Sequence, residues 1–129
     1  MEAKALQIYP EVTYKRQLSN FRYRNYRKLV VPTHDGQRVI SFDDILYIVS
    51  DSSYCTIVLQ DQKITLSKTL KWVQERLDDT FIRVHNSYLV ALLHIVSYST
   101  KHCTIKLSST AAIPVSRSNK QKLLTVLKA

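Results

Sequence analysis

Glycine is nearly absent from this chain: one residue in 129, beside three prolines. The turns must therefore be built from Asp, Ser, Asn, His and Pro, which supply turn geometry by other means. Cysteine is equally sparse. Cys55 and Cys103 each sit in an apolar, strand-like segment, with neither a CxxC partner nor ligand-spaced histidines. A disulfide framework is excluded, and nothing supports a zinc site from His102 and Cys103. A cysteine nucleophile would need His34, His85, His94 or His102 as its base, and these lie in separate segments without catalytic spacing. No enzyme, metal or cofactor is expected. No stretch approaches the ~18 apolar residues of a membrane span, and the start "MEAKALQIYP" has no secretory h-region. The expected location is the reducing cytoplasm. Acidic residues are also few, 10 Asp plus Glu against 19 Lys plus Arg, for a net charge of +9. That balance favours a polyanionic partner.

What is present suits one domain, since 45% of the residues are hydrophobic, enough to bury a core at this length. "KLVVP" and "QRVIS" flank "THDG", where Asp35-Gly36 signals a hairpin. "ILYIVS" and "YCTIVLQ" flank Asp51 to Ser53, and "KITLS" follows. Leu66, Leu70, Val73 and Leu77 then recur at helical spacing, so "KTLKWVQERL" predicts one amphipathic helix with Ser67 as its cap. "FIRV", "YLVAL", "IVSYS", "CTIKLS" and "AAIPV" read as short strands, and Leu123, Leu124 and Leu127 mark a C-terminal helix. The fold class is mostly β with two helices.

Three segments carry chemistry. Residues 1–28 hold seven basic and two acidic groups, and "NFRYRNYRK" interleaves aromatics with arginines. This is either a nucleic-acid arm or a linker and edge strand with a solvated face. In "FIRVHNSYLV" the strand is interrupted by His85, Asn86 and Ser87, so the chain turns there or displays those groups. In "IPVSRSNKQKLL", Ser116 as helix cap precedes Arg117, Lys120 and Lys122. Cations at a helix start oppose its dipole, and a local rule broken in this way suggests an anion seat. The bland alternative is an exposed, soluble helix face.

An apolar strand, the "DSSY" turn, a second strand, a helix, "FIRVHNSYLV" and "IPVSRSNKQKL", in this order, resemble the LytTR family of bacterial DNA-binding domains over about residues 29–128. The resemblance rests on the Phe-x-Arg-x-His-x-Ser-x-Leu-Val pattern of Phe81, Arg83, His85, Ser87, Leu89 and Val90, and on Pro114 to Arg117. Ala91 stands where the family usually carries Asn. The resemblance implies short antiparallel strands in packed sheets with one central and one C-terminal helix, over residues 29–129, preceded by the basic arm or linker 1–28. It also implies a transcription regulator that reads DNA through loops in successive major grooves, without a recognition helix.

Carried over by position, the reading turns hold Ser53 and Tyr54, Asn86, and Arg117. Asn pairs with adenine and Arg with guanine in bidentate fashion. Arg83, Lys120 and Lys122 suit phosphates, with Ser87 and Ser116 as neutral donors. His85 either joins them or fixes its own turn. The expected partner is double-stranded DNA, over two direct-repeat half-sites. Too few residues precede the match for a receiver domain, so the chain is expected to be a stand-alone regulator or the effector part of a two-component response regulator. A receiver or sensor would then act in trans. The rival reading is a charge-only module for RNA or an acidic membrane surface.

Overall fold

The computed structural model describes residues 26–128. The strands are β1 (Lys28–Thr33), β2 (Gly36–Ser41), β3 (Ile45–Asp51), β4 (Tyr54–Leu59), β5 (Lys63–Leu66), β6 (Phe81–His85), β7 (Tyr88–Ala91), β8 (Ile95–Ser99), β9 (Thr104–Leu107) and β10 (Ala112–Pro114). Helix α1 is Leu70–Gln74 and α2 is Arg117–Lys128; Phe42–Asp44 and Leu92–His94 are single 3-10 turns. All strand pairings are antiparallel, in sheets ordered β1-β2, β5-β4-β3-β7-β6 and β10-β9-β8.

The five-stranded sheet lies between two cores, because its residues alternate in direction. In β7, Leu89 and Ala91 join one core and Val90 the other. The first core packs that sheet against β1, β2 and α1 through Leu29, Val31, Ile40, Leu70 and Val73. The second packs its other face against β9, β10 and α2 through Ile105, Leu107, Ile113 and Leu123. Strict alternation would put Ile45 and Ile48 on opposite faces, yet both join the first core. A bulge resolves this: β4 passes from Leu59 to Val58 while β3 passes from Ile45 to Tyr47.

Two local expectations are corrected. Helix α1 is five residues long and capped by Thr69, whose hydroxyl accepts from the Trp72 N–H at 3.0 Å; Ser67 does not cap it. Leu66 matched the helical period because the last residue of β5 enters the same core. The helix stops as Arg76 turns back to donate to the Trp72 carbonyl (2.8 Å), with its guanidinium 3.7 Å from the indole centroid. In the first hairpin Thr33 pairs with Gly36, so the turn residues are His34 and Asp35. Gly36 has no positive φ, and the glycine signal marked the right hairpin one residue late.

Of the expected arm, all but Tyr26, Arg27 and Lys28 lies outside the described residues. Arg27 belongs to the folded unit. Its guanidinium pairs with Asp78 (2.5 Å) and Asp43 (3.0 Å) and lies 5.3 Å from the Phe42 ring centroid. The hydrogen bond to Asp43 and the nearby Asp78 charge raise its pKa further. Left-handed backbone occurs at Arg27, Ser52, Cys103 and Thr110 among the described residues, so turns were indeed built without glycine.

Candidate nucleic-acid interface

The three reading turns expected from sequence, at Ser53, Asn86 and Arg117, lie at one end of the five-stranded sheet. Asp51 pairs with Tyr54, leaving Ser52 and Ser53 as a two-residue turn with Ser52 left-handed (φ 56°). His85 pairs with Tyr88, leaving Asn86 and Ser87 as a second such turn. Strand β3 links them: Val49 pairs with Tyr88, and the Ser50 N–H donates to the Ser87 carbonyl at 2.9 Å. The turn centres are two strand spacings apart, roughly 10 Å. The third element joins at β6, where the Ser116 N–H donates to the Val84 carbonyl at 2.8 Å. That bond sets the start of α2 beside His85.

Each expected residue has a definite setting there. Ser53 and Asn86 are exposed, and Tyr54 is 52% exposed, too open for a packing residue. Arg117 is exposed and opens α2, whose first turn has no acidic residue. Among the described residues the ion pairs are those of Arg27 alone, so Arg117, Lys120 and Lys122 have no acidic partner there. Ser116 does not cap α2 through a backbone N–H. Its hydroxyl accepts from the Asn119 side chain at 2.7 Å and its carbonyl from the Asn119 N–H at 3.1 Å.

His85 fixes its own turn, with Nδ1 accepting from the Ser87 N–H at 3.1 Å and the ring edge-on to Tyr88. Nε2 is then the nitrogen that carries the proton in the neutral ring. Arg83 is half-buried and committed internally: Nε donates to the His85 carbonyl (3.0 Å), Nη2 to the Asn86 carbonyl (2.7 Å) and Nη1 to Gln74 Oε1 (2.9 Å). A bulge between Arg83 and His85 shifts the register just before the turn, as bulges do where side chains are re-aimed.

Sequence reading missed a fourth turn at this end. Residues 100–103 join β8 to β9, and the Cys103 carbonyl accepts from the Val115 N–H at 2.8 Å, one residue before Ser116. Lys101 and His102 are exposed on it. The available signal was basic residues between two short strands, adjacent to the tail only through the β9-β10 pairing. The opposite end differs in charge. A groove of ≈ 460 Å³ there is lined by Asp43, Asp44, Asp61 and His94, among others. The length of β3, roughly 20 Å, separates this acidic end from the basic one.

The family model described as "LytTr DNA-binding domain" matches residues 35–128. The chain belongs to the LytTR DNA-binding domain family. Its role is accordingly DNA binding in transcription regulation. Among solved structures, the LytTr DNA-binding domain of a Bacillus cereus protein designated a methyl-accepting/DNA response regulator is similar. It matches with a TM-score of 0.68 at 23% identity, over 80% of this chain and 98% of the other. At that identity the likeness concerns the fold: antiparallel sheets with two helices. No curated protein matches the chain. Among the described residues, no helix is long and apolar enough to cross a membrane.

Proposed function

We propose that this LytTR domain recognises a specific duplex sequence through the polar turns at one end of its central sheet, entering the major groove. Asn86 and Arg117 read bases, with Ser53 and Tyr54 on the neighbouring turn. Lys120, Lys122, Ser87 and Ser116 hold phosphates, and Lys101 extends that set. His85 presents its turn and has only Nε2 left for a phosphate. The functional unit is residues 29–129, continued at its edge by Arg27, and acts as a bacterial transcription regulator, alone or with a receiver or sensor in trans. Residues 1–28 supply additional positive charge.

The observation that carries this reading is the convergence of three separate segments, joined by the Ser50–Ser87 and Ser116–Val84 backbone bonds, with Asn86 and Arg117 exposed on it. A charge-only binder for RNA or acidic lipid would not need an amide on a hairpin turn and a guanidinium at the adjoining helix start. A domain this size covers about one turn of duplex, so two half-sites about 10 bp or a multiple apart are expected on one face. Selection of bound duplexes from a random pool is the test. Enrichment of a defined site with two direct repeats supports the reading; equal retention of all duplexes and of RNA assigns the surface to charge alone.

A further inference from the structure

Among the described residues, the side chain with the most hydrogen bonds at this interface is one the sequence had offered to DNA. Arg83 donates from all three guanidinium nitrogens, and two of the three acceptors are the carbonyls of His85 and Asn86. The third, Gln74 Oε1, belongs to the last residue of α1, which packs on the first core. The Asn86-Ser87 turn contains no glycine to relax it, and it follows the bulge between Arg83 and His85. Consecutive carbonyls bonded to one planar fork fix the peptide planes on both sides of the Asn86 Cα. The direction of the Asn86 side chain is then fixed from below. Lysine offers a point charge on a flexible stem and no such fork.

We propose that Arg83 is a positioning residue for base reading by Asn86, held in place by Gln74 on α1. This rests on the reading that Asn86 contacts a base. Three of the five guanidinium N–H groups are used inside the protein, so the role does not require a phosphate. Gln74, on α1 rather than on a reading turn, becomes part of the specificity apparatus.

The test uses the full chain, its selected duplex, and duplexes altered one base pair at a time. Asn86→Ala first locates its base pair as the position where preference disappears. Arg83→Lys and Gln74→Ala should each lower discrimination at that same base pair, Arg83→Lys by about tenfold and Gln74→Ala by less. Discrimination at the Arg117 base pair should be retained, and the dependence of log K on log salt should keep its slope. In the Asn86→Ala background, Arg83→Lys should cost nothing further at that base pair, a non-additivity that mere loss of stability would not produce. Arg83→Gln removes the charge as well: if its slope falls by about 0.9 with discrimination intact, Arg83 is a phosphate contact and the proposal is overturned. Loss of discrimination in Asn86→Ala, with none in either Arg83→Lys or Gln74→Ala, overturns the brace alone. Should Asn86→Ala itself lose nothing, the base-reading assignment fails first and the brace falls with it.

Discussion

Removing the Arg117 side chain should move DNA binding and folding in opposite directions. The residue is exposed, opens α2, and among the described residues makes no ion pair. Its first turn also carries Lys120 and no acid, so the helix dipole opposes the charge already there. Arg117→Ala relieves a few tenths of a kcal/mol of that repulsion and substitutes the best helix former. The free protein should melt at the same temperature or slightly higher. A bidentate contact with guanine is worth ~1–3 kcal/mol of discrimination, which is roughly 5- to 150-fold in affinity ratio. The assay is a titration of the selected duplex and a scrambled one, at several salt concentrations, beside thermal melts. Asn86→Ala should act in the same way at an adenine-containing position. Lys122→Ala should instead weaken both duplexes and lower the salt slope by about 0.9. An Arg117→Ala protein that melts normally and still separates the selected duplex from the scramble by the original ratio would refute the base-reading role.

Three further outcomes test the framework that holds the turns. Leu123→Ala, at the one fully buried position of α2, should cost about 2–5 kcal/mol in denaturant unfolding, and a loss below about 1 kcal/mol would mean that α2 is not docked as described. Gly36→Ala should raise stability by about 0.4–1 kcal/mol, since a Cβ there meets nothing within 4 Å and φ is not positive; destabilisation would contradict the His34–Asp35 turn. Burial, then the neighbouring Tyr88, raises the Tyr47 phenol above its ordinary value of 10.0. Its contribution is fully present below that value and is lost as pH rises toward the folded-state pKa. Tyr47→Phe should therefore flatten the alkaline decline in melting temperature, and an unaltered decline would place its cause elsewhere.

The strands were legible because each is short, apolar and bounded by turn residues, and alternation along β4 and β7 directly set which residues face which core. What failed to show was geometry that depends on a partner element. Ser67 and Thr69 are both acceptable caps on paper; only the position of Leu70 and Val73 in the first core selects Thr69. Bulges in β3 and β6 have no signature in composition, since they arise where two packing demands differ by one residue. Asn86 and Arg117 could be placed on turns from their neighbours, yet their proximity follows from the Ser116–Val84 bond between segments about thirty residues apart. Arg83 is the instructive case. As a basic residue beside a polar turn it reads as a phosphate contact, whereas its three acceptors, two backbone carbonyls and Gln74, cannot be inferred from residue type.

Hairpin ends make economical readers because their order is set by the strands beneath them. A flexible loop loses conformational freedom when it binds, at about 0.5–1.5 kcal/mol for each immobilised side chain and more for backbone. The turns at Ser52-Ser53 and Asn86-Ser87 are two residues long, each closed by a paired strand residue on both sides, and they share β3 as a common edge through the Ser50 bond. Their backbone entropy is lost on folding, where the two cores offset it. Recognition then needs only side-chain ordering. Because Ser53, Asn86 and Arg117 are exposed, substitutions there should change folding stability by no more than about 0.5 kcal/mol. On the proposed reading, specificity can thus vary at the tips while the cores stay constant. The same logic limits the brace: Arg83 and Gln74 bind main-chain carbonyls or each other, so they can hold the turn whatever side chain occupies position 86.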